Sequence, residues 1–188
     1  MKTIAELCEV HPLSGYAYFF FDSRDSDKGL RLFENMIRSL ISQLASRCGG
    51  IPFGLKKLYN THRDGRDEPS LELLQQTLQG MIEGFDHVYI MIDSLDECGE
   101  RPELLRWIKT MASWDSTQLH LLFTSRPEPD IMAHLNFVSR LRDIRLQGSV
   151  LERDIGKYLD EQLALVDGWS DHTRALVKAK LMGGADGM

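Results

Sequence analysis

Five consecutive apolar residues, Val88-Tyr89-Ile90-Met91-Ile92, stop on a carboxylate, Asp93, and lead straight into Ser94-Leu95-Asp96-Glu97. A run of that length is strand-sized, and an abrupt acidic end places an oxygen donor at the rim of whatever sheet the strand joins. A second dense run, Tyr16 to Phe21, is aromatic and lacks polar alternation. It predicts a strand buried on both faces, as in parallel sheets. Both runs are far too short to span a bilayer.

The remainder of the chain alternates between the two periodicities. Leu30, Phe33, Ile37, Leu40, Ile41 and Leu44 recur at helical spacing up to Gly49-Gly50. Met1 to Val10 reads as the end of a helix closed by His11-Pro12, and Phe53 to Asn60 as a short helix. Ser70 is placed to cap a helix over Leu71 to Glu83. Two further strand candidates, Leu119 to Thr124 and Arg142 to Leu146, are separated by helical patterns over about 102–113 and 130–135. Helices over about 150–166 and 171–181 close the chain, and Trp107, Trp114 and Trp169 on helical patterns read as packing residues. Strands alternating with helices argue for an α/β fold with a mainly parallel sheet, whose chemistry gathers at the carboxyl ends of the strands.

Composition removes several function classes. The 188 residues fit one domain, and 43% hydrophobic content supplies a core. A formal charge of −6, with basic residues scattered, leaves no electrostatic footprint for nucleic acid or an anionic membrane. Cys8, Cys48 and Cys98 lie far apart without a C-x-x-C pair, which reads as free thiols in a reducing compartment. The six histidines show no H-x-x-x-H or other ligand spacing, so no structural metal site is expected. A cytoplasmic location follows from these features as an expectation.

An apolar strand ending in Asp93 has the form of a Walker B element. Magnesium suits it, because that ion binds through one or two carboxylates plus waters and substrate phosphates. Asp93 is then the metal residue, acting through water, and Asp96 and Glu97 lie where a base orients an attacking water. A lone strand ending in Asp equally describes a solvated or helix-capping loop; the full Asp-Ser-Leu-Asp-Glu run is what favours the metal reading. The next strand candidate ends in Thr124-Ser125-Arg126-Pro127. Ser125 and Arg126 are placed to sense a terminal phosphate, with Arg126 stabilising developing charge. Taken alone, Arg126 is an ordinary surface arginine before a proline-started helix.

These residues resemble the NACHT domain, a branch of the signal-transduction P-loop NTPases, and most closely its nephrocystin-like form abundant in fungi. The resemblance rests on Tyr18 to Asp22 with Arg24-Asp25-Ser26-Asp27-Lys28, and on the helix carrying Leu40, Ile41, Gln43 and Leu44. It continues through Ile92-Asp93-Ser94-Leu95-Asp96-Glu97-Cys98, Phe123-Thr124-Ser125-Arg126-Pro127, and Asp154-Ile155 with Tyr158-Leu159. It implies a three-layer α/β/α P-loop fold over 1–148, followed over 149–188 by the start of a C-terminal helical segment. It also implies Mg and ATP or GTP as ligands of the intact domain, with Asp93 supporting the ion, Asp96 and Glu97 hydrolysis, and Arg126 the first sensor. Ser94 stands where the family often has glycine.

One departure is larger. The family carries a strand and a G-x-x-x-x-G-K-[ST] loop before the helix that matches Met1 to Val10, and no such motif occurs here. The chain also stops at Gly183-Gly184-Ala185-Asp186-Gly187-Met188, within what resembles a helical stretch, so both ends are expected to be cut from a longer natural chain. The missing loop provides a nest of backbone N–H groups and a lysine for the phosphates. Each charge-assisted bond is worth roughly 1.5–3 kcal/mol, so losing three weakens nucleotide binding by about 5 kcal/mol, several thousandfold. Negligible hydrolysis and no bound nucleotide are expected of this polypeptide. The resemblance also places the missing strand between Leu119 to Thr124 and Arg142 to Leu146. Its loss forfeits roughly 6–12 kcal/mol of burial and leaves edges that invite self-association. Three functions remain open: a fragment of a nucleotide-switched signalling NTPase working with other protein domains, a degenerate interaction module on the same scaffold, or a piece of an AAA-type ATPase.

Overall fold

The computed structural model describes residues 2–24, 32–62, 65–114, 117–136, 138, 141–144 and 149–184, with the backbone alone for 149–152. Two compact units result, Met1–Leu141 and Arg142–Met188. In the first, three strands alternate with helices: α1 (Lys2–Val10), β1 (Ser14–Phe20), α2 (Phe33–Ala45), α3 (Phe53–Thr61), α4 (Leu71–Ile82), β2 (His87–Asp93), α5 (Arg101–Ala112), β3 (Leu119–Phe123) and α6 (Pro129–Leu135). The strands form one parallel sheet in the order β1-β2-β3, with Ala17 opposite Ile90 and Ile90 opposite Leu121. Parallel neighbours need long crossovers, and the helices between the strands provide them.

The register fixes which side chains meet. Ala17 and Phe19 of β1 share a face with Val88, Ile90 and Ile92 of β2 and with Leu119, Leu121 and Phe123 of β3. That face packs into a single core with α2, α4 and α5. The stripe on α2 predicted from spacing is the largest contributor. Phe33, Ile37, Leu40 and Leu44 are at most 1% exposed, joined by Met36, and each such burial is worth about 1.5–3 kcal/mol. Close approach of α2 requires glycine in the strand. A Cβ on Gly15 would meet Leu44 and Phe85 carbons at 3.1 Å. Ser70 caps α4 as expected, its hydroxyl accepting from the Leu73 N–H at 3.3 Å.

Burial of Tyr16 to Phe21 on both faces is corrected. On the second face Tyr16, Tyr18, Phe20, Tyr89, His120 and Leu122 are half-buried or exposed, while Met91 between Tyr18 and Leu122 is buried. Phe20 keeps 47% of its surface and Leu122 54%. The cause is one of supply: the buried faces of α2, α4 and α5 all go to the first face, and α1 has no buried residue. Trp107 is buried and Trp114 packs on the core, as read from sequence, whereas Trp169 stays 39% exposed.

The two outer edges differ. β1 is closed by α2, whose Gln43 amide accepts from the Tyr18 N–H at 3.1 Å and donates to the Tyr18 carbonyl at 2.8 Å. Arg47 adds a bond to the Tyr16 carbonyl at 2.8 Å and lies 3.6 Å from the Tyr16 ring centroid. Gln43 thus stands in for the peptide of a neighbouring strand, which blunts the edge. Among the described residues, nothing pairs with the outer edge of β3. Of the expected fourth strand, Arg142 to Ile144 have no regular structure, and Arg145 and Leu146 lie outside the described residues. A strand needs a hydrogen-bonded neighbour, and the strand expected between it and β3 has no counterpart in the sequence.

The second unit is a helical pair, α7 (Ser149–Ala164) and α8 (Asp171–Gly184). Arg174 of α8 bonds the Leu163 and Val166 carbonyls at 3.1 and 3.0 Å, satisfying the orphan end of α7. Lys178 pairs with Asp160 at 2.6 Å. No helix among the described residues is long and apolar enough to cross a membrane.

Candidate functional site

All three strands run the same way, so their carboxyl ends share one rim, and the acidic run lies on it. β2 ends at Asp93, whose carbonyl accepts from the Phe21 N–H beyond β1 at 3.2 Å. Ser94 then takes a left-handed conformation, φ 57 and ψ 54, and the chain winds into a single 3₁₀ turn, Leu95–Glu97. Leu95 anchors the turn in the core at 0% exposure.

The end of β3 locks against this turn. The Thr124 N–H donates to the Ile92 carbonyl, and the Leu95 N–H to the Thr124 carbonyl, each at 3.0 Å. The Thr124 hydroxyl accepts from the Ser94 N–H at 3.1 Å and donates in a short bond to Asp93 Oδ1. Ser94 Oγ lies 3.4 Å from Asp93 Oδ2. Asp96 Oδ1 accepts from the Arg126 N–H at 3.0 Å and from Ser125 Oγ at 3.3 Å, and Asp96 Oδ2 lies 3.6 Å from Arg126 Nε. Asp96 is 10% exposed and Arg126 68%, so the acid sits inside the arrangement and the arginine reaches out of it.

Around this centre the rim is braced. Glu97 turns towards β1, accepting from the Ser23 N–H at 2.7 Å. Asp22 beside it pairs with Arg24 at 3.0 Å, and that hydrogen bond lowers the Asp22 pKa. Residues 25–28 of the sequence resemblance lie outside the described residues. Arg101 donates to the Asp96 carbonyl and to both Asp130 oxygens at 3.2 Å. Burial pushes Asp130 upward, yet the Arg101 guanidinium outweighs it and the net pKa is lowered. Glu100 accepts from the Phe33 N–H at 2.9 Å, tying the start of α2 to the same loop. Cys98 is buried within the turn, and burial pushes its thiol up to about 11.

The five residues singled out from sequence, Asp93, Asp96, Glu97, Ser125 and Arg126, therefore occupy one end of the sheet. Asp96, Ser125 and Arg126 touch directly, Asp93 joins them through Thr124, and Glu97 faces away towards β1. Thr124 was visible in the sequence only as part of a motif; its role as the clasp between two strand ends depends on register. Residues 1–126 match the family model described as nephrocystin 3, N-terminal. The chain belongs to the nephrocystin 3 N-terminal family. The family match ends on Arg126 and so takes in the whole sheet and every rim residue predicted from sequence. No curated protein matches the chain.

The rim of this nephrocystin 3 N-terminal chain offers oxygen donors of the kind a magnesium ion takes. Asp93 offers a single carboxylate next to the Thr124 hydroxyl, and among the described residues no group of three His, Cys, Asp or Glu side chains converges. One carboxylate is compatible with magnesium, which keeps most of its water or binds phosphate oxygens, and not with an all-protein calcium cage. The sequence holds no G-x-x-x-x-G-K-[ST] loop to cradle a triphosphate.

Proposed function

We propose that this chain carries the metal-facing part of a NACHT-type signalling NTPase module and does not itself hydrolyse nucleotide. The observation that supports this reading is the clasp of Asp93 and Asp96 against Thr124, Ser125 and Arg126 across two adjacent parallel strand ends. In that role Asp93 orients a hydrated magnesium ion, and Asp96 holds Arg126 in place at the rim. The uncovered outer edge of β3 is where a phosphate-loop strand fits this scheme. The module's output is a change of protein assembly, with other domains or further copies as partners in the cytoplasm.

A decisive test extends the chain before Met1 with a strand and a G-x-x-x-x-G-K-[ST] loop. The extended chain binds Mg–ATP or Mg–GTP at micromolar concentration, and Asp93→Asn removes the magnesium dependence. The unextended chain binds neither. Equal magnesium-dependent binding with and without the Asp93 carboxylate refutes the assignment, and micromolar binding by the unextended chain refutes the claim of inactivity.

A second reading, a non-catalytic interaction module on the same scaffold, is favoured by one observation. Each Asp96 carboxylate oxygen is engaged by the chain's own Ser125 and Arg126 groups. The same extension experiment separates the two, because a pure interaction module gains no nucleotide affinity from a phosphate loop.

A further inference from the structure

At the other end of the sheet, 33 residues apart in sequence, two histidines meet on the uncovered face. His87 opens β2, and His120 lies in β3 directly opposite Tyr89. His87 Nδ1 and His120 Nε2 are 3.3 Å apart. The His120 ring stacks on Tyr89, with centroids 4.6 Å apart and planes inclined by 15°, which fixes its position. Both histidines are exposed, and His87 borders a shallow hollow shared with His11, Asp86 and Tyr89.

We propose that His87 and His120 form a two-imidazole site for a divalent transition-metal ion, with zinc preferred. The separation fits a tetrahedral ion. Two imidazole nitrogens about 2.0–2.1 Å from a tetrahedral zinc lie about 3.3–3.4 Å apart. Cis ligands at right angles in tetragonal or octahedral sites lie closer, about 2.8–3.0 Å. The observed spacing needs no strand movement; with the His120 ring held by Tyr89, a small turn of the exposed His87 ring about its soft Cβ–Cγ bond brings the two lone pairs onto one ion. The two facing nitrogens share at most one proton, and when the donor ring takes the tautomer with its proton on the far nitrogen, both facing lone pairs are open to an ion. Water fills the remaining positions, since no third protein ligand converges among the described residues.

The site lies at the strands' amino ends, opposite the Asp93 rim, and is independent of the proposed nucleotide chemistry. Isothermal titration of the full chain with zinc chloride at pH 7.5, from micromolar to millimolar, measures it directly. One saturable equivalent is expected. His87→Gln and His120→Gln each weaken it by at least the 10–100-fold that loss of a mere outer-shell partner costs a metal site. His134→Gln, on α6, leaves it unchanged. Circular dichroism confirms that these exposed substitutions keep the fold. Absence of saturable binding overturns the proposal, and so does binding that survives both the His87 and His120 substitutions.

Discussion

Asp96 is the residue whose loss is felt most at the rim, and the structure allows the effect to be apportioned. Its nearly buried carboxylate accepts one backbone N–H, from Arg126, at 3.0 Å. A hydrogen bond to a charged group is worth about 1.5–3 kcal/mol. The Ser125 hydroxyl at 3.3 Å is longer and adds little. The Arg126 guanidinium is 68% exposed at 3.6 Å, so its ion pair contributes only about 0–1 kcal/mol. Asp96→Ala is therefore expected to destabilise by about 2–3 kcal/mol, and Arg126→Ala by under about 1 kcal/mol. Asp96→Asn keeps an acceptor oxygen for the N–H and falls between them. Urea unfolding reads these differences as midpoint shifts at unchanged slope; with a slope of about 1–3 kcal/mol/M, Asp96→Ala moves the midpoint by about 0.7–3 M. Hydrogen exchange at the Arg126 amide gives an independent local readout and should accelerate in Asp96→Ala alone. If Asp96→Ala costs no more than Arg126→Ala, the buried N–H bond is not what holds β3 to the acidic turn, and the reasoning fails.

Three further outcomes follow from the same geometry. Gln43→Leu strips both Tyr18 backbone groups of their partner, costing about 1–3 kcal/mol per unsatisfied group that water does not reach; it also opens the β1 edge, so light scattering should rise with protein concentration. Ser94→Gly relieves the left-handed backbone and stabilises by up to about 1 kcal/mol in chemical denaturation; a loss of stability would mean that the 3.4 Å contact of Ser94 Oγ with Asp93 matters more than the strain. Cys98, with its thiol pushed up to about 11 by burial, is alkylated by iodoacetamide only when the chain unfolds, while the partly exposed Cys8 and Cys48 react in the native state; mass spectrometry at pH 8 distinguishes them.

Much of the sheet was legible because short apolar runs report their own burial. Val88 to Ile92 and Leu119 to Phe123 became adjacent parallel strands, and the α2 stripe became the centre of the core. What failed was anything that depends on a neighbour. Tyr16 to Phe21 is apolar throughout, but apolarity says what a strand tolerates and not whether a helix is available to cover its second face. Arg142 to Ile144 come from a segment with a strand's composition yet have no regular structure, since composition cannot supply a hydrogen-bonding partner. Gln43 sits among Leu40, Ile41 and Leu44 as a polar break in the helix; only the structure reveals that it faces a strand edge. His87 and His120 have no ligand spacing in sequence because the register of β2 with β3 creates their proximity.

The acidic run and the Thr-Ser-Arg run behave as two motifs in sequence and as one object in space, and the spacing within Asp-Ser-Leu-Asp-Glu is the reason. A 3₁₀ turn advances three residues per revolution, and the Glu97 N–H closes it on the Ser94 carbonyl at 2.9 Å. The turn carries Asp96 back beside the end of β3 instead of outward into solvent. That path needs a residue able to adopt positive φ directly after the strand, the position where the resemblance has glycine and this chain has Ser94. It also needs an apolar anchor between the two acids, and Leu95 is fully buried there. Remove either requirement and Asp96 no longer meets Arg126, however well both residues are preserved. The spacing is thus a condition on backbone geometry first, and on the chemistry of the carboxylates only through it.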